Sequence, residues 1–449
     1  MPSLTNREAA ERPLRVAVLA DSDTRWKWGA LTAQRLLDPS GAAVIDGMLL
    51  RGRATPTERQ LHDTGVRGAQ AREVTASGFL AAAGASDARD AYDIVLLSCV
   101  GGTVQAMLHG LAHRWQGSAR RPVVVTGYVG VVYEKLADGL LLRHGADMVL
   151  ANSAYDADRF QAVYAGVGAG ADSVVECALP FLGGAPYTPS DARPYTVTFA
   201  VQPSVPELRK DRLYLLNRAA GHAARHPERE VLIKLRSKPG EHTTHVEELP
   251  YQRLAQRLPG GLPDNCRLVY GHMGEVLDRT DLLVTVSSTA ALESLHRRIP
   301  TAVLTDLGIR EALGNHHFLG SGCLTSWDRL DAGEVPEPDP VWTARQGVAA
   351  DGPYEAAFDT ARKRLAELLY ADLGPVTPYY TASTAGGYLP GILARHGLAP
   401  DGSPDPSATD APGGGVGGAA RRVVRRAARG AYRQGVQRVA PVIRRMGQL

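Results

Sequence analysis

Cysteine is scarce in this chain. The four, Cys99, Cys177, Cys266 and Cys323, lie far apart and form no Cys-x-x-Cys pair. A zinc site or a disulfide framework is therefore not expected, and a reducing compartment suits the sequence. Long apolar runs are also missing. None approaches the roughly 18 residues of a membrane span. The first run, Leu14 to Ala20, stops at Asp21, which is too short for a signal-peptide core. Acid is missing from the end of the sequence: residues 421–449 hold nine Arg and no Asp, Glu or Lys. Taking those nine charges from the net +3 leaves −6 for the remainder. The body thus reads as a mildly acidic soluble unit and the tail as a separate basic device.

At 449 residues, the chain exceeds one ordinary hydrophobic core, so two domains are expected. Short apolar segments read as strands at Arg15–Ala20, Ala43–Leu50, Ile94–Ser98, Pro122–Thr126, Met148–Ala151 and Val174–Cys177. Helical stretches separate them, which is the pattern of a parallel sheet covered on both faces. A Pro- and Gly-rich stretch follows, and then the alternation resumes. Strands are expected at Tyr195–Ala200, Val231–Leu235, Cys266–Tyr270, Leu282–Val286 and Thr301–Leu304, with residues 340–397 mainly helical. The fold class is therefore α/β, with two Rossmann-like doubly wound domains facing a cleft (GT-B) and a basic C-terminal helix.

The expected layout is a disordered N-terminus over 1–13 and an N-terminal Rossmann-like acceptor domain over 14–180. A linker over 181–194 leads to a C-terminal Rossmann-like nucleotide-sugar domain over 195–345. A helical segment follows over 346–400, then a flexible linker over 401–418 and a basic amphipathic helix over 419–449.

Ligands of open parallel sheets sit beyond the carboxyl ends of the strands, so the residues just past each strand carry the chemistry. After Val286, Ser287, Ser288 and Thr289 open a helix, where hydroxyls and unpaired N–H groups suit an anion such as a nucleotide diphosphate. Glu293, one turn on, could hold ribose hydroxyls. The competing reading is a helix cap with its reciprocal partner. Lys234 and Arg236 alternate with Ile233 and Leu235, leave one face of a strand near its carboxyl end and suit phosphate. A solvated sheet edge is the plainer alternative.

In the first half, Gly101, Gly102 and Thr103 follow a strand and allow close approach of a ligand. They do not form the G-x-G-x-x-G fingerprint, which disfavours a nicotinamide enzyme. Tyr128 and Gly130 lie beyond another strand and join them as acceptor contacts. Chemistry that activates a hydroxyl needs a proton acceptor. Asp23, in a polar loop after the first strand, Asp21 and Glu134 are the candidates, and capping or salt-bridged loop roles compete for each. Asn315 and His316, beyond the Thr301–Leu304 strand, suit the donor sugar or its phosphate. His272 could pack near the base. The paired His316 and His317 lack the carboxylates that would complete a metal site, so neither metal nor cofactor is expected.

The basic strand end together with Ser-Ser-Thr-x-x-x-Glu, before Ile-Pro-Thr-Ala-Val-Leu, resembles the nucleotide half of bacterial capsule and teichoic-acid transferases and polysialyltransferases. Those families carry Lys-x-His-Pro at the strand end where this chain has Lys234-Leu-Arg236-Ser. That departure speaks against a CMP or CDP donor. Across residues 15–345, the chain more closely resembles an uncharacterised actinomycete family of GT-B-type glycosyltransferases. The carrying segments are Asp21–Gly29, Val100–His109, Thr126–Gly139, Ser287–Glu293 and Leu313–Leu324.

The resemblance implies the fold and transfer of a sugar from a nucleotide-sugar donor, with no substrate named. The expected acceptor is a cell-surface glycan or glycolipid precursor. The alternatives are a UDP-sugar 2-epimerase-like enzyme and a non-catalytic binding protein of the same fold. The chain is expected in the cytoplasm, at the inner face of the plasma membrane. There Arg421, Arg422, Arg425, Arg426, Arg429 and Arg433 at helical spacing would meet anionic lipid. Nucleic acid is the less favoured partner for this tail.

Overall fold

The computed structural model describes residues 12–37, 43–52, 54–85, 91–131, 136–238, 241, 250–348 and 354–406. The tail 419–449 and Glu134 lie outside them. The first sheet has seven parallel strands: β1 Leu14–Ala20, β2 Ala43–Leu50, β3 Ala71–Val74, β4 Ile94–Ser98, β5 Val123–Gly127, β6 Met148–Ala151 and β7 Val174–Glu176, in the order β3-β2-β1-β4-β5-β6-β7. The second has six: β8 Thr196–Ala200, β9 Glu230–Lys234, β10 Cys266–Val269, β11 Leu282–Thr285, β12 Thr301–Leu304 and β13 Leu324–Thr325, in the order β10-β9-β8-β11-β12-β13. Strands such as Ile94–Ser98 and Val123–Gly127 are buried at every residue. Their unbroken apolar runs, with no inside–outside alternation, follow from helices covering both faces of a parallel sheet.

Two strands escape the sequence pattern. Ala71–Val74 reads Ala-Arg-Glu-Val at the sheet edge and buries only its last residue. Leu324–Thr325 is two residues long. Neither has the apolar run that marks the buried strands.

The segment after β1 departs from the expected polar loop. A helix runs from Asp23 to Leu36, started by Ser22, whose side chain accepts from the Arg25 amide. Asp23 therefore occupies the first helical position, where an acid suits the positive end of the helix. Gly29 lets this helix lie against the sheet: a Cβ there would come within 2.8 Å of Val18 and 2.9 Å of Ser98. Trp28 is fully buried, and its Nε1 donates to Asn152 at 3.2 Å.

Residues 340–397 are less helical than expected. Among the described residues, helix is confined to Pro340–Arg345, Asp359–Tyr370 and Leu389–Leu393, with short 3-10 turns at Tyr354–Phe358 and Ala394–His396. Pro375 and Pro378 lack the amide a helix needs, and Gly374 precedes them. The chain here returns to the first sheet and covers both of its faces. Phe358, Ala361, Leu365 and Leu368 join Val16, Trp26 and Trp28 on one side. Val376, Leu389, Ile392, Leu393 and Leu398 join Val104 and Leu108 on the other. Among the described residues, no helix is long and apolar enough to cross a membrane.

Candidate active site

The carboxyl ends of the two sheets border a cleft of about 390 Å³. The second sheet supplies Gln202, Pro203 and Ser204 after β8, Lys234 and Arg236 at and after β9, and Ser287, Ser288, Thr289 and Glu293 after β11. The first supplies Asp23, Thr24 and Lys27 from the helix after β1. It also supplies Gln60, Asp63 and Thr64 from the short helix Glu58–His62 and its end, and Val129 from the loop after β5. Phe181 comes from the crossing between sheets. Leu182 beside it is buried, and Gly183 O accepts from Arg297 Nε at 2.6 Å.

Lys234 is 9% exposed, and its Nζ donates to Leu235 O at 2.8 Å. Burial pulls its pKa down to about 8, against the opposing fields of Asp63 and then Glu293. A buried ammonium is costly unless an anion compensates it. Arg236, two residues on, reaches across the cleft: its Nη2 donates to Asp23 Oδ1 at 2.5 Å and to the Thr24 hydroxyl. Lys27 Nζ lies 3.7 Å from Glu293 Oε2 and 4.7 Å from the centre of the Phe181 ring. Arg59 pairs with Asp63 beside it and with Glu241 of the other half. His272 packs on Gly65, where a Cβ would fall 2.8 Å from Nε2, and burial lowers its pKa. Gly130 meets Thr289 in the same way, with Oγ1 at 2.9 Å from a Cβ built there.

The expected donor residues thus divide. Lys234, Arg236, Ser288, Thr289 and Glu293 reach the cleft. Ser288 Oγ also accepts from the Ala290 amide at 3.2 Å, while Thr289, which caps the helix Ala290–His296, makes no side-chain cap bond. Ser287 lines the cleft by position, but its hydroxyl donates to Leu313 O at 2.5 Å and its amide donates to Gln202 Oε1. Asn315 is a correction. It is fully buried, its amide donates to Leu304 O and Gly308 O, and it accepts from the Arg310 amide, so it shapes its own loop. His316 is not among the lining residues. Its neighbour His317 packs against Tyr155 and Trp342, and burial pulls its pKa down to about 4.

The first-half candidates fare differently. Asp21 accepts from Arg25 at 3.0 Å and from the Val100 amide at 3.0 Å, holding the start of the helix Gly101–Arg114. It is a structural acid, outside the cleft lining. Gly101 lies against Leu142 and Gly102 faces Ile392, while Thr103 Oγ1 is 3.4 Å from His396 Nε2. The returning C-terminal segment therefore meets Gly102 and Thr103, while Gly101 is met by Leu142 and Arg143. Tyr128 turns inward beneath Arg143, whose guanidinium lies 4.0 Å from the ring centre, and burial raises its pKa. Of the two described acids proposed as proton acceptors, Asp23 alone borders the cleft. Sequence reasoning missed Lys27, Gln60, Asp63 and Thr64. For Lys27 the signal was present: it stands four residues after Asp23 on a helix.

One described cluster has metal-ligating chemistry. His222, His226 and Asp331 bring ligand atoms within 4.8 Å of one another. Its groups are already engaged: His222 Nδ1 lies 2.7 Å from Asp331 Oδ1, Asp331 accepts from Arg218 and Arg225, and Arg229 lies 3.3 Å from His222 Nε2. Three guanidiniums around the ligands oppose a cation.

Two parallel Rossmann-like sheets meeting at such a cleft define the GT-B fold. Residues 16–368 match the model of the family described as "Putative glycosyltransferase (DUF6716)", and the chain belongs to that family. No curated protein matches it in sequence. Among solved structures, S. aureus MnaA in a co-structure with UDP is similar with a TM-score of 0.51 at 11% identity, covering 81% of this chain and 99% of that one. A protein described as "putative UDP-N-acetylglucosamine 2-epimerase" from Listeria monocytogenes gives 0.49 at 12%, covering 77% and 94%. The glycotransferase of kitacinnamycin gives 0.45 at 14%, covering 79% and 96%. At such identities the likeness is one of fold.

Proposed function

We propose that this protein transfers a sugar from a nucleotide-sugar donor, with the donor's phosphates held by Lys234 and Arg236. The observation that carries the reading is the Lys234 ammonium, nine-tenths buried at the end of β9 in the cleft. Glu293 and the Ser288–Thr289 turn stand beside it and suit ribose and phosphate oxygens. The protein's own cations meet the diphosphate charge, so the reading needs no metal. The acceptor enters along the Asp23, Gln60 and Asp63 wall. Asp23 takes its hydroxyl proton as the acceptor oxygen bonds to the anomeric carbon, the sugar–phosphate bond breaks and the nucleotide leaves.

Calorimetry with UDP, GDP, CDP and CMP tests the donor site. A nucleotide that binds the wild type and loses affinity in Lys234→Ala supports it. The absence of binding to all four, or equal affinity in the variant, refutes it. Incubating the bound donor without acceptor separates transfer from epimerisation, since an isomer would appear only in the second case.

The acceptor we favour is a lipid-linked precursor of a cell-surface glycan. The Arg-rich 419–449 segment supports this, because each Arg near an anionic surface contributes about 1 kcal/mol that salt screens. Full-length protein should sediment with anionic vesicles at low salt, and a chain ending at Asp401 should not. Equal pelleting of the two removes the membrane role.

A further inference from the structure

The cleft lining holds three carboxylates, Asp23, Asp63 and Glu293, and three cations, Lys27, Lys234 and Arg236. Its formal charge is therefore balanced, and two of the cations face a carboxylate across the cleft. Arg236 Nη2 donates to Asp23 at 2.5 Å, and Lys27 stands 3.7 Å from Glu293. The Arg236–Asp23 pair is also braced. Thr24 shares the same Nη2, and its hydroxyl lies 3.4 Å from Asp23 Oδ1. The side chains of Asp23 and Arg236 are 15% and 30% exposed. They are withdrawn enough for the pairing to matter and open enough for it to be replaced.

A diphosphate cannot simply be added to this arrangement. A guanidinium matched to a carboxylate has little charge left to offer. A phosphate beside that carboxylate also meets like-charge repulsion in a site partly shielded from solvent. A phosphate on Arg236 and a carboxylate on Arg236 are therefore competing partners for one donor group.

We propose that donor binding exchanges phosphate for Asp23 on Arg236, so that the donor releases the carboxylate that then serves the acceptor. This rests on the donor reading above and adds an order of events to it. Until the diphosphate takes Arg236, Asp23 Oδ1 is held by that guanidinium and the carboxylate's charge is offset by the cation beside it. The acceptor step is then coupled to a loaded donor by a single swap of partners, and Arg236 serves both states. The exchange also makes an unusual demand on affinity. Asp23 competes with the ligand, so removing its charge should tighten nucleotide binding while transfer is lost.

The test is calorimetry with two probes, UDP and inorganic pyrophosphate, on the wild type, Asp23→Asn, Arg236→Gln and the double variant. Pyrophosphate makes the result independent of the base the site prefers. Asp23→Asn should bind pyrophosphate about 2- to 5-fold more tightly, the scale expected when a competing, partly exposed ion pair is removed. Arg236→Gln should bind more weakly, and the Asp23→Asn gain should vanish in its background. Asp23→Ser, which keeps a good residue at the helix start without the charge, should repeat the gain. Unchanged or weaker binding in both Asp23 variants overturns the exchange while leaving the donor site standing. A gain of equal size in the Arg236→Gln background overturns it as well, because that is a general charge effect. If neither probe binds the wild type, the donor reading falls and the exchange falls with it.

Discussion

The two walls of the cleft are built on different principles. On the second sheet, the two cations leave a strand end directly: Lys234 is the last residue of β9 and Arg236 lies two residues on, while Ser288 and Thr289 lead into the helix Ala290–His296. Parallel neighbours on both sides fix β9 in register. On the first sheet, the groups sit on helix starts and short turns. Asp23, Thr24 and Lys27 share one helix, and Gln60 and Asp63 follow a capping box at Thr57. Polar groups at a helix start already have local work, because the first amides need acceptors. A lysine or arginine at a strand end has no such duty. The second wall is thus suited to holding an anion firmly, and the first to adjusting partners around an acceptor.

Removing Lys234 should break that contrast most severely. Lys234→Ala is expected to weaken nucleotide binding about 10- to 100-fold, the loss of one charge-assisted contact, with folding intact by circular dichroism. An equal loss from Gln60→Ala on the other wall would erase the distinction.

A pH series sharpens it further. Burial brings Lys234 down to about 8, so it is charged below that pH and neutral above it. Nucleotide affinity should therefore fall on the alkaline side, by about fivefold from pH 8 to 9. Lys234→Ala should show no such fall.

The first wall has its own internal test. Asp21→Ala should lose both its Arg25 and Val100 contacts and cost about 1–2 kcal/mol in urea denaturation, with nucleotide affinity unchanged. Asp23→Asn should lose transfer at little cost in stability. If the two exchange phenotypes, so do their roles.

The smallest effect belongs to the seam between the walls. Gly130→Ala would press on Thr289 Oγ1 and should weaken nucleotide binding a few-fold, about 0.5–1 kcal/mol. In a Thr289→Ala background, the same change should cost nothing measurable.

The two sheets and the cations of the second wall were legible in the sequence, because buried parallel strands are unbroken apolar runs and Lys234-Leu-Arg236 interrupts one with charge. The first wall was not. Asp21 and Asp23 stand two apart beside the same strand, and only the hydrogen-bond partners tell them apart. Gly101–Thr103 had the composition of a ligand loop, but Ile392 and His396, nearly 300 residues later, meet Gly102 and Thr103. No local pattern announces a segment returning from so far along the chain. Asn315 likewise looked free for a ligand until its three loop contacts were counted.

That return has a consequence for anyone dividing the molecule. A fragment ending at residue 194 would contain every strand of the first sheet, yet it would leave bare the surfaces that Phe358, Leu365, Leu389 and Leu393 close. Such a fragment should aggregate when expressed alone. Co-expression with a second fragment carrying residues 195–406 should restore solubility, with the two pieces purifying as one species.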